Sequence, residues 1–360
     1  MLAPTRVQFW DAWHLEIAGL SWLSLFRGFV ITPNPNHARG CKHPPYALRT
    51  QPSEIQLNAD LPKQSPTRGR LLIAAAAVLW STSGFFAQAP IFDDWPLAQR
   101  GTLLAFWRAL FASLALLPLV RRPRWRWGLA PMSLTFLAMN VAFVNALVLG
   151  SAANAIWLQY TAPAWVFLIG LAWLRERATG RAWQLLACGM AGVAVILGGG
   201  LMGNSAGPGE SSQTAGIFCG LLSGLFFGGV VLWLRWLRDE DSAWLAVVNH
   251  GVTTLALLPF AAACGIWPTP TQLVYLAAFG ALQMGLPYLL FARGLRHVTS
   301  HEAAGIALLE PLLVPLWVWW AWHGAASYHP PQWWTFLGAG LILTGLVLRY
   351  RTQRPPAPAR

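Results

Sequence analysis

The sequence predicts an all-α polytopic membrane protein with ten transmembrane helices, arranged as two inverted five-helix repeats. Three observations lead to this fold class: the composition, the spacing of the apolar stretches and a doubled sequence pattern. Of the 360 residues, 56% are hydrophobic and 11% are charged, whereas a soluble domain carries about 25% charged residues. The chain lacks the polar surface that would cover it in water, so we expect a lipid bilayer around it.

Ten mostly apolar stretches divide the region 70–350. Each is about 18–24 residues long, enough to cross a hydrocarbon core of about 30 Å as a helix. A β-barrel would instead show short segments of alternating hydrophobicity. The predicted spans are 70–89, 101–120, 128–149, 152–174, 181–201, 214–237, 243–264, 272–295, 299–322 and 331–350.

The positive charge of the chain follows the loops between these spans. If the N-terminus is cytoplasmic, arginines gather in the inner loops, whereas the opposite loops hold Asp93, Asp94, Glu210 and a single basic residue, Arg100. This is the positive-inside rule, and it places both termini in the cytoplasm. The net charge of +12 thus reflects topology, and no nucleic-acid partner is expected. The inner-side arginines are Arg68, Arg70, Arg121, Arg122, Arg124, Arg126, Arg175, Arg177, Arg181, Arg235, Arg238, Arg293, Arg296, Arg349, Arg351, Arg354 and Arg360.

Residues 1–68 differ from the rest of the chain because prolines are scattered among polar residues. Their most apolar part, Leu15–Ile31, contains Glu16 and Arg27 and so lacks the uncharged core of a signal peptide. An interfacial amphipathic segment, a disordered tail and an over-long gene model are the three interpretations. We expect a disordered or mis-annotated extension without a function. Residues 351–360 are expected to form a cytoplasmic tail.

The four cysteines predict neither a cofactor nor a metal site. Cys41 precedes His43 by two positions, and a single pair of this kind is too weak to indicate a metal. The other three, Cys188, Cys219 and Cys264, fall within apolar spans, where a small buried residue is the expected role.

The pentapeptide LALLP occurs at Leu114–Pro118 and again at Leu255–Pro259. Its surroundings also align, because Pro163 in the fourth span corresponds to Pro311 in the ninth, 148 residues later. Residues 70–201 and 214–350 are therefore predicted to be two five-helix units. Because five is odd, the second unit is inverted in the membrane, as in many secondary transporters, whose substrate sites lie near the midplane between repeats. A purely architectural doubling is the alternative.

The order and spacing of several motifs resemble the EamA type of the drug/metabolite transporter superfamily. The motifs are LWSTSG (79–84), FWRALFASLALLP (106–118), QYTAP with Glu176 thirteen residues after Pro163, LLEP (308–311) and GAGLILTG (338–345). The resemblance covers 70–350 and implies ten helices in two inverted halves, movement of small metabolites and no nucleotide hydrolysis. The chain departs from the family at His323-Gly324, where the second half usually repeats the acidic residue of the first.

Glu310, near the middle of the ninth span, is the sharpest candidate for a role in transport. An ionised carboxylate at the bilayer centre is costly, so such residues face protein or water and often mark ion or proton paths. Pro311 removes a backbone donor and frees a carbonyl of the helix. Glu310 could exchange a proton with a water-filled cavity and so couple protons to solute movement. The alternative is a neutral carboxyl group that bonds the loosened backbone and takes no part in transport.

Arg108 lies about two turns inside the outer end of the second span. It could bind a substrate carboxylate or phosphate in a bidentate manner, or it could extend to the outer interface. Among the other polar groups, Gln159 and Tyr160 rank highest because they lie one turn before Pro163. Trp80 and Trp157 are expected to form an apolar or cation–π wall. Further polar groups of the spans, explained by interhelical hydrogen bonds or by the pocket, are Asn140, Asn145, Asn154, Thr161, Asn249, His250, Gln283 and Tyr288.

Helix packing and hinges are also predicted by the sequence. Pro163 and Pro311 are the expected hinges of the fourth and ninth spans. Gly216, Gly220, Gly224 and Gly228 follow one another at four-residue spacing, which places them on one helix face and lets another helix approach closely. An internal contact is the expected use of this face, and a dimer contact is the alternative, so the protein is predicted to be a monomer or a dimer.

These observations favour a secondary carrier that exports a small organic solute, such as an amino acid, across a bacterial inner membrane. Substrate class and direction rest on the resemblance. A channel would need rings of charge or a filter loop, and neither is visible. A membrane enzyme is disfavoured because His301-Glu302 begins a zinc-protease pattern whose second histidine is replaced by Gly305. A structural membrane protein is the remaining alternative.

Overall fold

The computed structural model describes residues 66–173, 180–203, 210–237, 239–295, 297–298, 300–325 and 328–351. The regular structure of this part of the chain is helical throughout. The first helix begins at Pro66, four residues before the predicted span. The rest of the expected N-terminal extension, including Cys41, lies outside the described residues, as do Glu176 and the tail after Arg351.

Fourteen α-helices are described. In the first half they are α1 (Pro66–Ser81), α2 (Ser83–Ala87), α3 (Leu97–Leu116), α4 (Leu129–Leu149), α5 (Ala152–Gln159), α6 (Ala162–Trp173) and α7 (Gly180–Gly203). In the second half they are α8 (Glu210–Trp236), α9 (Ser242–Cys264), α10 (Pro270–Gly280), α11 (Leu286–Gly294), α12 (Ser300–Ala307), α13 (Leu309–Trp322) and α14 (Trp333–Arg351). A π-helical turn, Ala281–Gly285, joins α10 to α11, and 3₁₀ turns lie at Pro90–Phe92 and Leu117–Leu119.

Nine helical stretches of the described chain are long and apolar enough to cross a membrane. The tenth, Trp333–Leu348, is apolar but shorter than 18 residues. It lies where the tenth span was predicted, so the expected number of apolar segments is present and the last one is short. The nine stretches are Pro66–Ala87, Leu97–Leu119, Leu129–Leu149, Ala152–Ala172, Trp183–Met202, Ser212–Trp236, Ser242–Cys264, Pro270–Gly294 and Gly305–Trp322.

Side-chain caps fix where several helices begin. Ser151 accepts a hydrogen bond from the backbone N–H of Asn154 at the start of α5, and Thr269 forms a capping box with Gln272 at the start of α10. These caps satisfy donors that lack a partner within the helix. Gly265 ends α9 in the left-handed conformation, with φ of 63°, which favours glycine.

Helices from the two halves of the sequence are interleaved in the bundle. α1 packs against α11 and α13, α3 packs against α9 and α10, and α7 packs along α14. α8 packs along α4 and against α5 and α6. The core is therefore shared between the halves, and neither half encloses a separate one.

The glycine face of α8 is an internal contact, as predicted. A Cβ built on Gly216 would lie 2.8 Å from the backbone nitrogen of Gly150, and one on Gly228 would lie 3.2 Å from the carbonyl oxygen of Ala162. Gly220 and Gly224 approach the end of α5 in the same way. Absence of side chains on this face lets α8 pack directly on the backbone of the fourth span.

Asp241 ties the loop between α3 and α4 to the start of α9. Its Oδ2 accepts the backbone N–H groups of Arg121 and Arg122 at 2.7 and 3.0 Å, and its Oδ1 accepts that of Ala243 at 3.0 Å. Burial alone would raise the pKa of this carboxyl, but hydrogen bonds from these groups and from the backbone of Trp244 outweigh it and hold the pKa below its ordinary value.

Candidate functional site

The fourth and ninth spans are both broken, at corresponding places. α5 runs from Ala152 to Gln159 and α12 from Ser300 to Ala307, so both ends of the two helices are 148 residues apart. Each break precedes a proline, Pro163 or Pro311, that has no N–H to donate to the carbonyl four residues earlier. The predicted hinges therefore lie at real interruptions of the helices.

Tyr160 and Glu310 connect the two breaks. The Tyr160 hydroxyl lies 2.9 Å from Oε2 of Glu310 and 3.2 Å from the carbonyl oxygen of Ala307. In a continuous helix the N–H of residue 311 would donate to the carbonyl of Ala307, but Pro311 has no N–H. Glu310 is 8% exposed and lies in the first turn of α13, so the predicted mid-span carboxylate is located at the end of a half-helix.

Arg108 is buried in the bundle, with 2% of its surface exposed, so the alternative in which it extends to the outer interface is wrong. Its guanidinium carbon lies 5.2 Å from the ring centre of Phe279 and 5.8 Å from that of Phe143. One nitrogen, Nη2, contacts the sulfur of Met284 at 3.8 Å. Among the described residues, no acceptor reaches Nε or Nη1.

Arg108 and Glu310 interact electrostatically through the core. They do not form an ion pair in the described part of the chain, where the pairs are Arg70–Glu302, Arg100–Asp93 and Arg126–Glu240. Glu310 accepts a hydrogen bond from Tyr160, whereas Nε and Nη1 of Arg108 have no acceptor among the described residues, and a buried charge without a bonded partner is costly. The two come from different halves of the sequence.

Arg108, Glu310 and Tyr160 are joined in the core by three further buried polar side chains, which the sequence analysis did not rank among the site residues. His250 on α9 is 1% exposed and its Nδ1 has no described partner. Gln283, in the π-helical turn, donates to the carbonyl of Trp80 at 3.1 Å, and Asn140 on α4 donates to that of Ala105 at 3.4 Å. The side-chain oxygens of both amides lack a partner among the described residues. π-helical turns are frequent at functional sites.

The two predicted tryptophans do not form a common wall. Trp80 packs against Tyr288 and Phe291 at 6.3 and 5.2 Å between ring centres, whereas Trp157 packs edge-on against Tyr160 at 6.5 Å. The rings that flank the Arg108 guanidinium are those of Phe143 and Phe279, so neither of the two tryptophans has the predicted cation–π role at Arg108. Gln159 is buried at the end of α5 and directly precedes Tyr160 in the sequence.

A side cavity of about 420 Å³ lies between α13 and α14. Its lining includes the buried residues Trp157 and Pro311 and is almost wholly apolar. Trp319 and Phe336 of the same lining are 57% and 62% exposed on the outside of the bundle. The cavity therefore opens sideways, toward the surface that a bilayer would cover. In the described residues no group of three histidine, cysteine or acidic side chains is placed to hold a metal ion.

The profile of the EamA-like transporter family matches this chain twice, over residues 67–198 and 214–351. The chain belongs to the EamA-like transporter family. It is a membrane transporter of a solute, as the resemblance predicted.

Two individual proteins are similar to this family member. An uncharacterized transporter from Archaeoglobus fulgidus is 26% identical over 292 residues, which cover 79% of this chain and 96% of the relative. A solved structure described only as the crystal structure of a protein superposes with a TM-score of 0.50 at 18% identity, and covers 79% of this chain and 96% of that chain. The second likeness concerns the fold alone.

The position where the second half of this EamA-like chain lacks the expected acidic residue is exposed. His323 caps the end of α13, and its Nδ1 lies 2.9 Å from the carbonyl oxygen of Trp319. This hydrogen bond lies within α13 and its C-terminal cap and involves none of the residues that bond Glu310. Within the described apolar stretches of the second half, Glu310 is the one carboxylate.

Proposed function

We propose that the protein is a secondary carrier that exports a small organic solute, with amino acids and related metabolites as the leading class. One observation carries this proposal: a cation, Arg108, and a carboxylate, Glu310, are buried in the core of a transporter-family fold without being paired to each other. Such groups are expensive in a membrane and are retained where they serve transport.

The carrier would work by alternating access between two inverted five-helix halves. Support comes from the equal spacing of the two helix breaks and from the two family matches. The contacts support it too, because α1 packs on the eighth and ninth spans just as α8 packs on the third and fourth. With five spans in each half, both termini would lie in the cytoplasm, and the expected location is a bacterial inner membrane.

The solute would bind near the midplane, between the halves. Arg108 would bind an anionic group of the solute through Nε and Nη1, which have no acceptor among the described residues. Gln159 and Tyr160 would line the site, and Trp157 and Trp80 would bound it on opposite sides. Glu310 would exchange a proton with water on the open side, and the half-helices would tilt at Pro163 and Pro311.

Counterflow in proteoliposomes tests this proposal. Vesicles loaded with unlabelled amino acids should accumulate an external labelled amino acid transiently, and the uptake should saturate. A channel gives no counterflow, and a structural protein or an enzyme gives no uptake. Arg108→Ala protein, reconstituted at equal density, is the matched control because it should lose uptake without loss of the fold. Equal leakage with and without internal solute would rule out a carrier.

A further inference from the structure

Pro311 leaves one carbonyl oxygen at the break of the ninth span without its helical donor. In a continuous helix the N–H of residue 311 would donate to the carbonyl of Ala307. Here the Tyr160 hydroxyl occupies that place, 3.2 Å from the carbonyl oxygen. The same hydroxyl lies 2.9 Å from Oε2 of Glu310. A side chain of the first half thus replaces a missing backbone donor of the second half.

The Tyr160 hydroxyl has only one hydrogen to donate and two lone pairs that accept. When Glu310 is ionised, it accepts only, and a charged acceptor forms the stronger hydrogen bond. The hydrogen of Tyr160 then points to Glu310, and the Ala307 carbonyl has no donor. When Glu310 is neutral, its own O–H can donate to the Tyr160 oxygen. The hydrogen of Tyr160 is then available for Ala307.

We infer that Tyr160 is a positioning residue that closes the break between α12 and α13 when Glu310 is protonated and releases it when Glu310 is ionised. This inference rests on the proposed function, in which Glu310 exchanges protons during transport. The proton leaves Glu310 for water on the open side, and Tyr160 keeps its own proton and only turns its O–H bond. Of the described residues, Arg108 on α3 and Tyr160 are the charged and titratable groups that interact with Glu310.

The release has a physical consequence at the hinge. A buried carbonyl without a donor disfavours the closed geometry, and Leu308 is already outside both half-helices. Ionisation of Glu310 therefore loosens the break, and protonation restores the chain of hydrogen bonds from Glu310 through Tyr160 to Ala307. Protonation of Glu310 thereby changes the hydrogen bonding of the backbone at the break between α12 and α13.

Hydrogen–deuterium exchange of a peptide spanning 300–314 tests the inference in nanodiscs without any solute. After correction for the intrinsic pH dependence of exchange, protection in the wild type should fall roughly fivefold between about pH 5 and about pH 9, since one hydrogen bond is lost. Glu310→Gln, whose amide can donate to Tyr160 at every pH, should stay protected throughout. Tyr160→Phe should be poorly protected throughout. Tyr288→Phe, a buried tyrosine on α11, is the matched control and should follow the wild type.

A pH response in Tyr160→Phe or in Glu310→Gln that equals the wild-type response would overturn the inference. If the Tyr160→Phe protein does not fold, the exchange profile of Glu310→Gln decides alone, because a wild-type pH response in that variant also overturns the inference. The exchange experiment does not depend on transport. Absence of counterflow in the wild type therefore contradicts the proposed carrier, whereas normal counterflow with an unaltered exchange profile in Tyr160→Phe contradicts only the role of Tyr160.

Discussion

Gly224 on α8 lies directly against the carbonyl group of Leu158, at the place where the fourth span breaks. A Cβ built on Gly224 would lie 2.7 Å from Oγ1 of Thr161 and nearer still to the Leu158 oxygen. The Thr161 hydroxyl in turn donates to that same carbonyl at 2.5 Å. Neither neighbour can move without disturbing the end of α5, so the backbone of α8 supports the fourth span at its break.

Substitution of Gly224 by alanine should destabilise the protein by about 1–3 kcal/mol, because the added methyl group meets backbone that cannot yield. Thermal unfolding of the purified protein measures this. Gly198→Ala on α7 is the matched control, since a Cβ there meets nothing within 4 Å, and alanine should gain up to about 1 kcal/mol of helix propensity. Equal stability of the two variants would contradict close packing at Gly224.

Local sequence signals were sufficient to predict the bundle. The apolar spacing located nine spans, and the shorter apolar helix Trp333–Leu348 lies within the tenth predicted span. The four-residue glycine spacing predicted the close approach of α8, and the two prolines predicted as hinges, Pro163 and Pro311, lie next to breaks of the fourth and ninth spans. Each of these follows from residues that are neighbours in sequence.

The candidate site depends on contacts that are distant in sequence, and so it was only partly predictable. Tyr160 and Glu310 were both singled out, but nothing local indicates that they share a hydrogen bond. Arg108 left two alternatives open until its burial between Phe143 and Phe279 was known. His250 and Gln283 looked like ordinary polar groups of apolar helices, because only the packed structure reveals which polar atoms lack a partner.

The low pKa of Asp241 predicts a stability difference that depends on pH. Because the folded-state pKa is below the unfolded value, near 3.9, the carboxylate stabilises the fold above that value, and the contribution disappears as pH falls through the folded pKa. Asp241→Ala should cost about 1 kcal/mol at pH 7, the typical value of a helix cap, and a smaller amount at about pH 3.

Asp241→Asn separates the cap from the charge, since asparagine also caps helices well. It should retain most of the stability at neutral pH. Because asparagine does not titrate, this position should contribute no loss of stability when the pH is lowered. Thermal unfolding in detergent at both pH values gives all three curves. A penalty for Asp241→Ala that grows toward acid pH would show that the carboxylate does not stabilise this loop.

The proposed inversion of the two halves predicts that both flanks of the region 70–350 lie on one side of the membrane. In a protein without its native cysteines, Arg68→Cys and Arg354→Cys should resist an impermeant maleimide in right-side-out vesicles and react after lysis. Asp93→Cys, in the loop between α2 and α3, should react in intact vesicles. Labelling of the two flanks from opposite sides would exclude an inverted pair of five-helix units.

If Pro163 and Pro311 are hinges as proposed, they should favour turnover at the expense of stability. Pro163→Ala restores an N–H that can donate to Gln159, so the break should become more helical and the protein more stable by about 1 kcal/mol. Counterflow should then slow several-fold, whereas equilibrium binding of solute changes less. Pro270→Ala is the matched control because Pro270 is the first residue of α10, where a missing N–H has no cost. An unchanged rate in Pro163→Ala would remove this proline from the mechanism.

Arg108 should show opposite effects on stability and on transport. Arg108→Met removes a buried charge that has no ion-pair partner and keeps the length of the side chain between Phe143 and Phe279. Replacement of buried charge by apolar groups is often neutral or stabilising by about 1–4 kcal/mol, so the unfolding temperature should be maintained or raised while counterflow is lost.

Arg108→Lys keeps the charge but not the bidentate geometry, and apparent affinity for an anionic solute should fall several-fold. Arg70→Met is the control at the surface, since Arg70 pairs with Glu302 and both side chains are partly exposed, and such pairs contribute little. If Arg108→Met unfolds the protein, Arg108 is a structural residue. If Arg108→Lys binds solute as well as the wild type, Arg108 does not hold an anion.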